Sequence, residues 1–313
     1  MCEMSKLSEL KTPIALSLSL HAAIAGAVFF SDNENSPSAN LQTITTTHQD
    51  IESADPATTV PTSEYLVDLN GYIDEKSITP LIDTYRRAAS YAYGDDFITV
   101  TINSVGGNVD WGNKLIEEIN ASETPTRILC DKQAASMAAM ILITTDNVTS
   151  RDATNECEIM IHAPLHSYIN GTAQLWITGH DYARIQQEMD NNPNQEEWEF
   201  NYTYNTDPNA PMPAPLTISR SAVAANIQDN TALRHQFSQT LAAHSALTEQ
   251  DYEILFDKGD IYLNAFEALA MGLIDKVEGA EMDEINRIVG EASVCSKHPE
   301  ISMCQNGPAV PEF

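Results

Sequence analysis

Hydrophobic positions switch repeatedly between two periods along this chain. Tyr65-Leu-Val-Asp-Leu69 reads as a half-buried strand, followed by the turn signal Asn70-Gly71. Ser77 to Tyr93 carries Ile78, Leu81, Ile82 and Tyr85 at helical spacing. Phe97-Ile-Thr-Val-Thr-Ile102 is a second strand, and Trp111 to Ile119 is again helical. Arg127-Ile-Leu-Cys130 is a third strand, with a helix expected over Ala134 to Leu142, and Glu158–Ile161 is a fourth. Strands alternating with helices imply βαβ units and a mainly parallel sheet, an α/β fold. Gly171 to Met189 and Ala222 to Ala246 read as further helices, and Thr248-Glu-Gln-Asp251 has the spacing of a helix-starting capping box. Ile261-Tyr-Leu263 leads into a short helix that Gly272 ends, and a strand resumes over Leu273–Val277.

The flanks break this rhythm. Lys6 and Lys11 precede the apolar stretch from Thr12 to Phe30, in which small residues follow the hydrophobic run. That is the layout of a secretory signal peptide. The stretch also approaches the roughly 17–25 residues that cross a bilayer, so an uncleaved membrane anchor over residues 1–30 is the alternative. Residues 31–62 are rich in Ser, Thr, Asn, Asp and Pro and bury too little apolar surface to offset ordering entropy, which predicts a flexible linker. A domain is expected over 63–279. Residues 190–217, proline-rich and carrying Trp198, Phe200, Tyr202 and Tyr204, read as an inserted loop. These four aromatics form either a patch for a substrate or partner, or a small cluster that holds the loop together. Residues 280–313 read as an acidic C-terminal tail.

Composition narrows the function. The chain has 16 basic and 45 acidic residues, a formal net charge of −29. It should be repelled by nucleic acid and by anionic lipid, so nucleic-acid binding is excluded as an expectation. Five cysteines are present, none in C-x-x-C spacing, so no metal site is expected, and no cofactor. Cys130 and Cys157 fall in strand-like runs and read as small core residues. Cys295 and Cys304 flank a short polar loop, where an oxidising compartment would permit a disulfide. Cys2 lies before the apolar stretch.

The chemistry gathers at strand ends, where reactive groups collect in open α/β sheets. Gln133-Ala-Ala-Ser136-Met-Ala-Ala-Met140 sets a serine among small residues after the third strand, and Ile159-Met-Ile-His162-Ala-Pro164 ends the fourth strand on a histidine. A serine needs a base within hydrogen-bond reach to become a nucleophile, and His162 would supply it. His166 is a nearby but less favoured base. Asn103-Ser-Val-Gly106-Gly107 is a tight turn whose glycines let backbone N–H groups approach a ligand and stabilise an oxyanion.

Taken in order, these motifs and Phe266-Glu-Ala-Leu-Ala-Met-Gly-Leu-Ile-Asp275 resemble the proteolytic subunit of the Clp protease, a serine peptidase of the crotonase-like (ClpP-like) fold. The resemblance spans roughly Tyr65 to Val277, apart from the insertion. It implies Ser136 as nucleophile, His162 as general base, and the N–H groups of Gly107 and Met137 as the oxyanion hole, with Gly106 shaping the turn. It implies an aspartate shortly before Leu263-Asn-Ala-Phe-Glu-Ala268. Asp257 is the first choice and requires a one-residue gap; Asp260 is the runner-up. Three departures stand out. Val105 replaces the family's usual proline, Lys132 stands where glycine is usual, and Ala163 replaces glutamine. The insertion also falls near the helix through which family members pack two rings together.

The expected activity is therefore an ATP-independent serine endopeptidase acting on polypeptides, since the chain has no G-x-x-x-x-G-K-[ST] phosphate-binding run. It would be exported, periplasmic or anchored to the inner membrane facing the periplasm through residues 12–30, and a homo-oligomer of unspecified ring size. The alternatives are a catalytically silent binding or assembly module on the same fold, and a crotonase-type enzyme acting on a thioester.

Overall fold

The structure, a computed structural model, describes residues 42–46, 62–170, 173–202, 204–205, 209–280 and 283–305. The apolar stretch Thr12–Phe30, with Cys2, lies outside them. Strands β1 (Gln42–Thr46) and β2 (Thr62–Ile73) pair antiparallel. Helix α1 (Glu75–Tyr91) begins at Asp74, whose carboxylate accepts the Ser77 N–H while the Ser77 hydroxyl accepts the Asp74 N–H. This reciprocal cap satisfies two donors that a helix start otherwise leaves unpaired. Then follow β3 (Phe97–Gly107), α2 (Val109–Ala121), β4 (Thr126–Ala135), α3 (Met137–Thr144), β5 (Ser150–Ala153) and β6 (Glu158–Ile161).

Strands β2, β3 and β4 run parallel in one sheet, the α/β arrangement expected from the alternating pattern. Ile78, Leu81 and Tyr85 of α1 and Leu115 and Ile119 of α2 join the sheet's Val67, Val100 and Ile128 in the main core. Strand β4 changes partner along its length. Arg127 to Cys130 pairs with β5, and Gln133 to Ala135 pairs with β6. The end of β4 is thereby carried past β5 and alongside the strand that ends at His162. All eight residues of α3 are buried, as expected of a helix that is apolar on every side.

Beyond β6 the chain builds a second, smaller unit. It comprises β7 (His166–Asn170), β8 (Ala173–Ile177), α4 (Gly179–Asn191), β9 (Glu197–Phe200), β10 (Tyr204–Asn205), β11 (Leu216–Ser219) and the long helix α5 (Arg220–Ala243). Strands β7, β8 and β10 form one small sheet, and β9 and β11 pair as a two-stranded one. Leu175, Ile177, Tyr182, Ile185, Trp198, Phe200, Ile218 and Val223 form its own core. Trp198 and Phe200 thus hold the inserted region together from inside, with Tyr202 packed against them, instead of forming an open patch. The helix expected from Gly171 starts only at Gly179, after β8.

The chain then returns through α6 (Glu249–Lys258), β12 (Ile261–Asn264), α7 (Ala265–Ala270), β13 (Lys276–Val277), α8 (Asp283–Lys297) and α9 (Ser302–Gln305). Strand β12 lies antiparallel to β6, and β13 parallel to β5.

Several expectations change here. Asn70-Gly71 does not turn the chain: β2 continues to Ile73 through a register shift at Asn70/Tyr72, where Gly71 takes φ +80°. The region read as linker contains the edge strand β1. The region read as tail contains α8 and α9. Val294 and Ile301 are fully buried there, and Gly290 lets α8 approach the Phe266 carbonyl where any side chain would collide. Cys130 and Cys157 are not free core residues. They form a disulfide with Cα atoms 5.9 Å apart. Cys295 and Cys304 pair as well, at 5.2 Å.

Candidate active site

Ser136 occupies the single-residue hinge between β4 and α3. Its φ of +55° and ψ of −122° make it the only non-glycine with positive φ among the described residues. Such a conformation costs on the order of 1–3 kcal/mol and persists only where the surroundings impose it. They do so on both sides. The Ser136 N–H donates to the Met160 carbonyl of β6 at 2.7 Å, and the Ser136 carbonyl accepts from Met140 N–H in the first turn of α3. The strained hinge turns Oγ out of the sheet, towards the residue that follows β6.

That residue is His162. Its Nε2 lies 2.8 Å from Ser136 Oγ, and its Nδ1 lies 2.6 Å from the Ala163 carbonyl oxygen. A carbonyl can only accept, so Nδ1 carries the proton and donates. Neutral imidazole then has its lone pair on Nε2, and the serine hydroxyl donates to it. The pair is set in the tautomer that lets His162 take the Ser136 proton.

Two turns meet beside Ser136. Gly106 has φ +89°, and a side chain there would come within 2.7 Å of Ser136 Cβ and 2.9 Å of Met137 N. The Gly106 backbone therefore lies directly against Ser136. Its own N–H donates to Ser104 Oγ at 3.1 Å. Gly107, at φ +150°, packs against the backbone of Ile73, so a side chain would collide there as well. Met137 is the first residue of α3, so its N–H has no acceptor within the helix. The positive end of that helix points to the site. Gly112 in α2 leaves room for the Met137 side chain.

The aspartates stand elsewhere. Asp257 lies in the last turn of α6, and its carboxylate accepts from Arg234 Nη2 at 2.8 Å, with the side chain 73% exposed. Arg234 also donates through Nε to Glu253 Oε2 at 2.6 Å and through Nη2 to the Glu253 carbonyl at 2.7 Å. The structure thus brings Ser136 and His162 together and leaves Asp257 in an ion pair on α5 and α6. Asp260 is exposed, just before β12. The β6–β12 ladder ends where Ile261 pairs with Ile161, so Asp260 and His162 are the residues that flank its end. Both ring nitrogens of His162 are engaged by other groups.

His166 is occupied too. Its Nδ1 is 2.5 Å from the Tyr182 hydroxyl. Burial holds its pKa below the usual histidine value, although Asp229 opposes the shift. It serves the small unit, where Asn226 Nδ2 donates to the Tyr168 hydroxyl at 2.7 Å. Lys132 is exposed, and Val105 is exposed on the turn before Gly106.

Three contributors were not expected from sequence. The Ala163 carbonyl sets the tautomer, a backbone role that no residue type announces. Asn230, buried in α5, donates through Nδ2 to the Pro164 carbonyl at 2.8 Å and so pins the loop behind His162. Its only signal is a lone asparagine on a helix face that turns inward. The third is the Cys130–Cys157 disulfide, for which one cysteine in β4 and one just before β6 are a weak cue.

No group of His, Cys, Asp and Glu among the described residues could hold a metal ion, and no helix among them is long and apolar enough to cross a membrane. The parallel sheet, the strained serine at the end of β4 and the glycine turn beside it are the arrangement that the resemblance implies. Residues 63–197 match the family model described as Clp protease, and this span contains Gly106, Gly107, Ser136 and His162.

Proposed function

We propose that the chain is a serine endopeptidase in which Ser136 is the nucleophile and His162 the general base. The observation that carries this reading is the 2.8 Å contact between Ser136 Oγ and His162 Nε2, with Nδ1 donating to a carbonyl. Ser136 Oγ attacks the substrate carbonyl carbon as its proton passes to Nε2. The N–H groups of Gly107 and Met137 receive the oxyanion. The imidazolium then returns the proton to the leaving amine, and water repeats the cycle on the acyl-enzyme. The Ala163 carbonyl holds the ring in place through both halves. In this arrangement the working unit is a serine–histidine pair, and Asp257, the first choice from the resemblance, is held by Arg234.

The proposal extends to the setting. The substrates are exported proteins or peptides, cut without ATP. The protein works outside the cytosol as a homo-oligomer, periplasmic or tethered to the inner membrane through residues 12–30. The apolar N-terminal stretch supports this, and so do the two disulfides, which persist in oxidising compartments. Hydrolysis of an unstructured fluorogenic peptide by the purified protein, without nucleotide, tests the activity. Turnover by the wild type and none by Ser136→Ala is the expected result. Equal rates for the two proteins would overturn the reading.

A further inference from the structure

The partners that align Ser136 and His162 form a short ladder. Strand β4 pairs with β6 at only three positions, Gln133 with Glu158, Ala134 with Ile159 and Ala135 with Met160, before the Ser136 N–H reaches Met160. The ladder begins just after β4 has left β5 at Cys130. A slip of one residue would turn every side chain of β6 to the other face and carry His162 away from the serine. Only three pairs join β6 to β4, since its four pairs with β12 lie on its opposite edge.

At this handover sits the Cys130–Cys157 disulfide. Cys130 is the last β4 residue paired with β5, six residues before Ser136. Cys157 immediately precedes β6, five residues before His162. The turn between β5 and β6 is bound to the same point: Thr154 N–H donates to the Cys130 carbonyl at 2.9 Å, and the Thr154 hydroxyl donates to the Asp131 carbonyl. Both cysteines are buried.

We infer that this disulfide is a positioning crosslink. It fixes the β4–β6 register that brings His162 to Ser136, and the site is fully competent only in the oxidised form. A dithiol reductant would switch it down. One reductant thiolate attacks a cysteine sulfur and breaks the S–S bond, and the second displaces the mixed disulfide. The reductant leaves as its own disulfide, and Cys130 and Cys157 gain two electrons and two protons. Because both sulfurs are buried, attack waits on local opening. The inference rests on the peptidase reading for its effect on activity, but its effect on the strand ladder stands apart from it.

The test uses the full chain in the Cys295→Ala/Cys304→Ala background, so that one disulfide remains. Protein is compared before and after dithiothreitol, with free thiols counted by alkylation and mass spectrometry, and alongside the further Cys130→Ala/Cys157→Ala variant. Two quantities are read: the rate of fluorophosphonate labelling, and backbone hydrogen exchange over residues 131–137 and 157–163. Loss of the crosslink should slow labelling roughly 10- to 100-fold, the scale of small misplacements of reacting groups. It should also raise exchange in those two segments while the β2–β3 ladder stays protected. Unchanged labelling and exchange in protein with both thiols free would overturn the inference. So would exchange that rises equally in β2 and β3, which would make the bond a general staple. If the oxidised protein never labels, the peptidase reading fails and the exchange data alone decide the crosslink.

Discussion

Ser136 and His162 hang from two strands that share a hydrogen-bond ladder and flank a disulfide, whereas Asp257 stands at the exposed end of a helix, bound to Arg234. The first pair is placed by backbone. The serine's positive φ, its N–H on Met160 and the glycine turn against it leave little freedom to either reacting atom. The aspartate is placed by side chains alone, in water, where a single ion pair is worth little. The contrast teaches that strand register can bring Ser136 Oγ and His162 Nε2 together, while Asp257 is positioned by helix packing that register does not control.

The largest effects should come from the backbone-placed side. Ser136→Ala and His162→Gln are each expected to lower peptide hydrolysis by on the order of 10⁴- to 10⁶-fold, and together by no more than either alone, because the two act as a unit. Steady-state rates of the two single variants and the double variant check this. Additive losses would mean that the 2.8 Å contact is not the working one.

Gly106→Ala probes the oxyanion side of the same region. Its new methyl group must push Ser136 or the Met137 N–H aside. A loss of about 100- to 1,000-fold in kcat is expected, comparable to removal of an oxyanion donor. Full activity would show that the turn moves freely and that the comparison overstates its rigidity.

Asp257→Asn attacks the contrast from the other side. With Nδ1 of His162 donating to the Ala163 carbonyl, the substitution should cost no more than about tenfold, far below the roughly 10⁴-fold loss seen when a working triad acid is neutralised. Asp260→Asn is the paired control, since Asp260 and His162 flank the end of the β6–β12 ladder. A loss near 10⁴-fold in either variant would identify the acid and show that the chain rearranges during turnover.

The other end of α6 sharpens the same point. Asp251, in its first turn, is almost fully buried. Ser302 donates to it from both its N–H, at 2.6 Å, and its hydroxyl, at 2.5 Å. Burial pushes its pKa up, but the hydrogen bonds from Ser302 and Thr248 outweigh this and hold it below the usual carboxylate value. A lowered folded pKa contributes stability that is fully present above the unfolded value, about 4, and is lost as pH falls through the folded one. Ser302→Ala should therefore destabilise the protein by about 1–2 kcal/mol at pH 7, and by less below pH 4. Thermal unfolding at pH 7 and pH 3 measures the difference. An equal penalty at both would remove the charge from the explanation.

Much of this was legible in the chain itself. The strand ending at His162 follows from local periodicity, whereas the third strand was legible only over Arg127–Cys130: β4 runs on to Ala135, where a helix was expected from Ala134, and α3 begins only at Met137. The glycine pair before α2 was readable because φ values of +89° and +150° exclude most other residues. The strand-built part of the small unit, from His166 to Ser219, was not. Its strands are two to five residues long, and Trp198 and Phe200 show their burial only when β9, β11, α4 and α5 pack together. Asn70-Gly71 carried a true signal for positive φ but did not reveal whether the result was a turn or a bulge. The acid was the least legible element. Asp257 and Asp260 differ by three residues, and helix packing with Arg234, absent from any local pattern, decides where the first one goes.

The most direct test of the central claim is to locate a covalent adduct. After fluorophosphonate treatment of the oxidised full-length protein, mass spectrometry of its peptides should find the label on Ser136. The labelling rate should fall at least 1,000-fold in His162→Gln, of the order expected when the activating base is lost. A label on another serine, or an unchanged rate without His162, would contradict the account.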